Sequence, residues 1–103
     1  MIINLISHEH NLFRVDNLFL KFKVFYGDLW NASFRDSDDF LEFAKREWCD
    51  GLRRFSDDVF QDAITYCREY EINSPPTLSE FIGICRGFAR YKSIFESISM
   101  AEA

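Results

Sequence analysis

The run Ser74-Pro75-Pro76-Thr77-Leu78-Ser79-Glu80 limits what this chain can become more than any other stretch. Proline fixes its own φ, lacks an N–H and pushes the preceding residue out of helical geometry, so positions 74 and 75 are extended and no helix crosses them. Directly after, Thr77 and Glu80 form a T-x-x-E capping box, in which each side chain satisfies a free backbone N–H of a new helix. Phe81, Ile84, Phe88, Tyr91, Phe95 and Ile98 then step by three and four, the spacing of one helical face, and predict a long last helix to about Ser97.

Three more helices are read the same way. Asp36 or Ser37, followed by Asp38 and Asp39, marks a second start, with Leu41, Ala44, Trp48 and Leu52 inward and Gly51 as the stop. Ser56, followed by Asp57 and Asp58, marks a third, with Phe60, Ala63, Cys67 and Tyr70 inward and an end near Glu71. In both, the paired acids favour the positive end of the helix dipole. The first helix spans about Asn11 to Leu29. Its inner stripe is Leu12, Val15, Phe19, Phe22, Tyr26 and Leu29, widened by Leu18 and Phe25, with Arg14, Lys21 and Lys23 off it.

The expected architecture is all-α: a compact bundle of about four helices with a long C-terminal helix after the Pro-Pro turn. Residues 1–10 are expected as a tail, 11–98 as one helical domain, and 99–103 as a frayed end. With 103 residues, one core is the limit. Twelve Phe among 17% aromatics let short helices fill that core with large rings. Phe19, Phe22, Trp48, Phe60, Cys67, Phe81, Ile84 and Phe88 are its expected members.

Charge narrows the function classes. The net charge of −5 is concentrated in residues 36–80, which carry twelve acidic and five basic side chains. Such a middle argues against non-specific nucleic-acid binding, which needs Lys and Arg to neutralise phosphates. One weak basic constellation remains: Arg86, Arg90 and Lys92 on the last helix, with Arg53 and Arg54 in the turn before the third. Cys49, Cys67 and Cys85 are odd in number and sit in amphipathic stretches, which reads as buried, reduced thiols in a cytoplasmic protein. The N-terminal residues have neither the basic region nor the apolar run of a signal peptide.

Catalytic chemistry is sparse. The two histidines, His8 and His10, fall in the expected tail, leaving no oriented base for a Ser or Cys nucleophile. No CxxC, Gly-rich phosphate loop or calcium loop occurs. Neither an enzyme activity, a metal nor a cofactor is implied. Gly83 and Gly87 are conspicuous instead. Each costs about 1 kcal/mol relative to Ala inside a helix. Four residues apart, they form a smooth strip, open to internal packing against a neighbouring helix or to docking of a partner.

The segment from about Leu20 to Arg86 resembles the helical module of the bacteriophage lambda replication protein P family, proteins that load the replicative helicase at an origin. The resemblance is carried, in order, by "LKFKVFYGDLW", "FLEFAKREWCDGLRRF" with Trp48, "SDDVFQDAITYCREY" and "SPPTLSEFIGICR". In the last motif Pro75, Pro76, Phe81, Cys85 and Arg86 are the matching positions. Family members continue into a second region that carries most of the helicase contact, and the resemblance does not extend to it.

What the resemblance implies is a replication-associated, non-catalytic adaptor that binds an initiator or the replicative helicase; because the resemblance stops short of the helicase-contacting region, helicase binding is expected to be weak or absent. The expected partner surface is Pro75, Pro76, Gly83, Arg86 and Gly87. The alternatives are a DNA-binding module using the basic face of the last helix, and a stand-alone interaction factor of a mobile element. Neither involves a membrane.

Overall fold

The computed structural model describes residues 6–34 and 37–102, with side chains up to Glu96. Five helices follow in order: α1 (His8–Tyr26), α2 (Asp28–Ala32), α3 (Asp38–Leu52), α4 (Asp57–Tyr70) and α5 (Leu78–Glu102). The fold is all-α. The chain pairs α1 with α3 and α4 with α5, and α3 also packs on α5.

The helix starts follow their caps. The side-chain oxygens of Ser37 and Ser56 accept from Phe40 N and Val59 N, at 3.2 and 3.3 Å. Asp36, the other expected cap of α3, lies outside the described residues. Ser7 does the same for His10 N at 3.3 Å, so α1 begins at His8 and both histidines are helical rather than in a tail. At the far end the backbone stays helical to Glu102, past the expected fraying at 99.

α1 also ends earlier than its three-and-four pattern suggests. Gly27 takes φ 57° and ψ −125°, a backbone conformation that costs a side chain-bearing residue strain. The chain turns there into α2, which resets the helical register. Leu29, expected inside, is exposed, and Trp30 is buried in its place. Trp30 sits 5.0 Å from Phe19 and 5.2 Å from Phe22, both edge-on.

The centre of the core is aromatic. Phe22 and Phe81 are fully buried and 5.8 Å apart, with Trp48 and Phe60 against Phe81. Of the expected core, Phe19, Phe22, Trp48, Phe60, Cys67 and Phe81 are buried, whereas Ile84 and Phe88 are only partly covered. Leu12 and Tyr70 are exposed, not inward. Gly51 does not stop α3. It lies inside the helix where α3 crosses α5, and a Cβ there would come within 2.9 Å of Ile82 Cδ1. α3 and α5 come close at this point because position 51 carries no side chain.

Arg14, placed off the inner face by its charge, is buried with Asn11. Its Nη2 donates to the Leu52 carbonyl at 2.8 Å, Nε to Asn11 Oδ1 at 2.9 Å and Nη1 to Asp57 Oδ1 at 3.1 Å. Asn11 Nδ2 donates to the Cys49 carbonyl at 2.8 Å. The carbonyls of a helix's last turn have no partner in that helix, so α1 serves as the C-terminal cap of α3. The guanidinium also lies 4.5 Å from the Phe60 ring centroid. Asp57 ties in the start of α4, and His10 Nε2 lies 2.9 Å from its Oδ1.

The hydrogen bond from His10, and then that from Arg14, holds the Asp57 carboxyl below the usual carboxylate range. A depressed carboxyl stabilises the fold above its unfolded pKa, about 3.9, and stops doing so as pH falls through the native value. The stability gap between the natural chain and Asp57→Asn is therefore expected to be full near neutrality and to close below about pH 4. Thermal melts of both from about pH 2.5 to about pH 7, spanning the ~3.9 unfolded value, would check this. A gap that widens on acidification would contradict it.

Candidate functional site

The linker after α4 delivers α5 at a defined angle. Pro76 is buried, and both prolines border a pocket with Trp30, Phe34, Phe40 and Trp48. Thr77 and Glu80 close the capping box: Thr77 N donates to Glu80 Oε1 at 2.9 Å, and Glu80 N donates to Thr77 Oγ1 at 3.2 Å. The Thr77 N–H, and then its hydroxyl, keep the Glu80 carboxyl below the usual range. α5 then returns antiparallel along α4, with Lys92 Nζ 3.0 Å from Asp62 Oδ2 and the Phe88 ring 6.1 Å from Tyr66.

Between the two helices lies an open groove of about 600 Å³, lined by Tyr66, Ile84, Phe88 and Tyr91, with Gly83 and Gly87 on its α5 side and Glu71 and Glu80 at one end. A Cβ on Gly83 or Gly87 would meet nothing within 4 Å. Among the described residues, then, the strip is not used for internal packing. Internal close approach happens at Gly51 instead. Beyond the glycines, Tyr91 and Phe95 stack with centroids 6.5 Å apart, and both are about two-thirds exposed, at 67% and 60%. Their three-and-four spacing continues the face of Phe81, Ile84 and Phe88, but burial does not follow it this far. Among the described residues α5 packs chiefly against α4 and α3, with Phe22 of α1 reaching Phe81, and Tyr91 and Phe95 remain exposed. Ile98 falls outside the described side chains.

The glycines can be tested directly. With open space around each Cβ, Gly83→Ala and Gly87→Ala are expected to stabilise the isolated chain by about 1 kcal/mol each, the helix-propensity difference. Urea denaturation would measure it. A loss of stability would mean that the strip is packed after all.

The expected residues do not form one surface. The two prolines belong to the α2–α3 side, and the pocket they border shares no residue with the groove. Arg86 and Arg90 are exposed and share a face of α5. Lys92 does not share it: two residues past Arg90, it is rotated by about 160° around the helix axis and is held by Asp62. Arg53 Nε donates to the Ile6 carbonyl at 3.0 Å, and the Arg54 guanidinium lies 5.2 Å from the Phe55 ring. The expected basic face therefore reduces to Arg86 and Arg90.

The three cysteines are free and buried. Burial pushes the Cys67 and Cys85 thiols up to about 12, far from the thiolate that nucleophilic chemistry requires. Among the described residues no group of three or more His, Cys, Asp or Glu could hold a metal ion. No described helix is long and apolar enough to cross a membrane. No protein-family model matches the sequence, and neither does any curated protein or solved structure.

Proposed function

We propose that this chain is a non-catalytic, cytoplasmic adaptor of DNA replication that binds a protein partner by accepting a helix of that partner in the α4–α5 groove. One observation carries the groove. Two glycines inside α5 weaken the helix, and nothing among the described residues requires their lack of a side chain. A backbone approaching from outside does. The exposed rings of Tyr91 and Phe95 beside them supply the apolar area that a helix-in-groove contact uses. The replication context rests on the resemblance to the lambda replication protein P family, as does the choice of an initiator over the helicase as the main partner.

Calorimetric titration against a purified replication initiator and against the hexameric replicative helicase tests this reading. The initiator is expected to bind, and Gly87→Leu to weaken it at least tenfold by filling the strip. The helicase is expected to bind more weakly than about 1 μM, equivalent to ~8 kcal/mol. Initiator binding unaffected by Gly87→Leu would remove the groove from the interface. Binding to DNA that falls steeply with salt and is lost in an Arg86→Ala, Arg90→Ala double variant would favour the DNA-binding alternative.

A further inference from the structure

The face of α5 that the fold leaves uncovered is complementary to itself. Gly83, Gly87, Tyr91 and Phe95 form a single ridge of four-residue steps about 18 Å long. Its first half has no side chains, and its second half carries two exposed rings. In a two-fold symmetric contact, if residue i faces residue j, then j faces i. With two α5 helices antiparallel about a two-fold axis level with position 89, Gly83 stands opposite Phe95 and Gly87 opposite Tyr91. Every ring then meets a glycine, and it does so in both directions. A parallel pairing would set glycine on glycine and ring on ring, leaving a gap at one end and a collision at the other.

We propose that the α4–α5 groove also takes α5 of a second copy of this chain, forming an antiparallel homodimer, an inference that rests on reading the groove as a helix acceptor.

The available area fits. Tyr70, Tyr91, Ile94 and Phe95 are each more than half exposed. At roughly 150–250 Å² per fully buried ring, they and the groove walls offer on the order of 600 Å² per copy. That is most of the ~800 Å² per partner in a standard stable interface. Charge sets the expected salt response. Each copy carries −5, so bringing two together is opposed by repulsion that salt screens. Dimerisation should strengthen with salt, the opposite of phosphate binding.

The experiment is sedimentation equilibrium of the full chain from low to several hundred micromolar, at low and high salt. The expected result is a shift from monomer to dimer mass that is favoured by salt and lost in the Tyr91→Ala, Phe95→Ala double variant. Circular dichroism would confirm that this variant keeps its helices, since both rings are exposed. Orientation is read by oxidising a mixture of Gly87→Cys and Tyr91→Cys chains, whose natural cysteines are buried. Cross-links joining 87 to 91 are expected.

A chain monomeric throughout, a dimer indifferent to the ring substitutions, or links joining 91 to 91 would each overturn the proposal. If the chain is monomeric yet still binds the initiator in a Gly87→Leu-sensitive way, this inference fails and the adaptor reading stands. If the dimer forms and no replication protein binds, the adaptor reading fails and this one stands.

Discussion

Phe22→Ala is expected to remove about 3–5 kcal/mol of stability, the usual cost of emptying a fully buried aromatic site. Phe22 is completely buried, and its ring meets those of Tyr26, Trp30, Trp48 and Phe81 at 5.2–6.0 Å, each edge-on. These neighbours come from α1, α2, α3 and α5, so the cavity would open where four helices meet and no single one can move in to fill it. A domain of this size loses about 4–8 °C in Tm per kcal/mol, so the melt should fall by on the order of 20 °C. Phe95→Ala is the internal control. That ring is exposed, and in dilute protein its loss should stay within about 0.5 kcal/mol. Equal losses at the two positions would mean that the core is not centred on Phe22.

Arg14→Met should cost about 2–3 kcal/mol by a different route. Methionine keeps the apolar stem but removes every donor. Asn11 Oδ1 would be left buried without its charged donor, at about 1–3 kcal/mol, and the Leu52 carbonyl would keep only the 3.1 Å bond from Phe55 N. Arg14→Lys should not restore stability. A single ammonium cannot serve three acceptors arranged around a planar fork or lie flat against Phe60. Urea unfolding of both variants checks this. Arg14→Met within about 0.5 kcal/mol of the natural chain would reduce the buried cluster to a crystal-clear irrelevance for stability.

Local signals in the sequence located α4 and the start of α5 well, because Ser56, Thr77 and Glu80 act on amides three residues away. The break at Gly27 was harder to read. The apolar spacing continues through it to Leu29, and only the formation of α2 shows that Trp30 is the residue carried inward. Arg14 reads as outside because a charge on one helix looks solvated until its acceptors are known, and these include the Leu52 carbonyl of α3, 38 residues away, and Asp57 of α4.

The site follows the same division. The glycine strip was legible from its spacing. Whether it faced inward depended on where α3 crosses α5, and that crossing uses Gly51. The i,i+4 pairing of Arg86 and Arg90 could be read locally. The loss of Lys92 from that face could not, because Asp62 reaches it only through the antiparallel register of α4 and α5.

The cluster around Arg14 also bears on the order in which the molecule assembles. Its bonds to α3 and α4 join residues 38 to 47 positions apart, whereas α4 and α5 are neighbours joined by a short linker. Closing a long loop is entropically costly before its contacts form, so nearby pairings tend to come first. The α4–α5 hairpin is expected to be in place at the rate-limiting step, with the start of α1 docking afterwards. Arg14→Met should then leave the folding rate nearly unchanged and accelerate unfolding, whereas Phe81→Ala should slow folding. Arg14 would act as a latch, setting how long the native molecule lasts rather than how fast it forms.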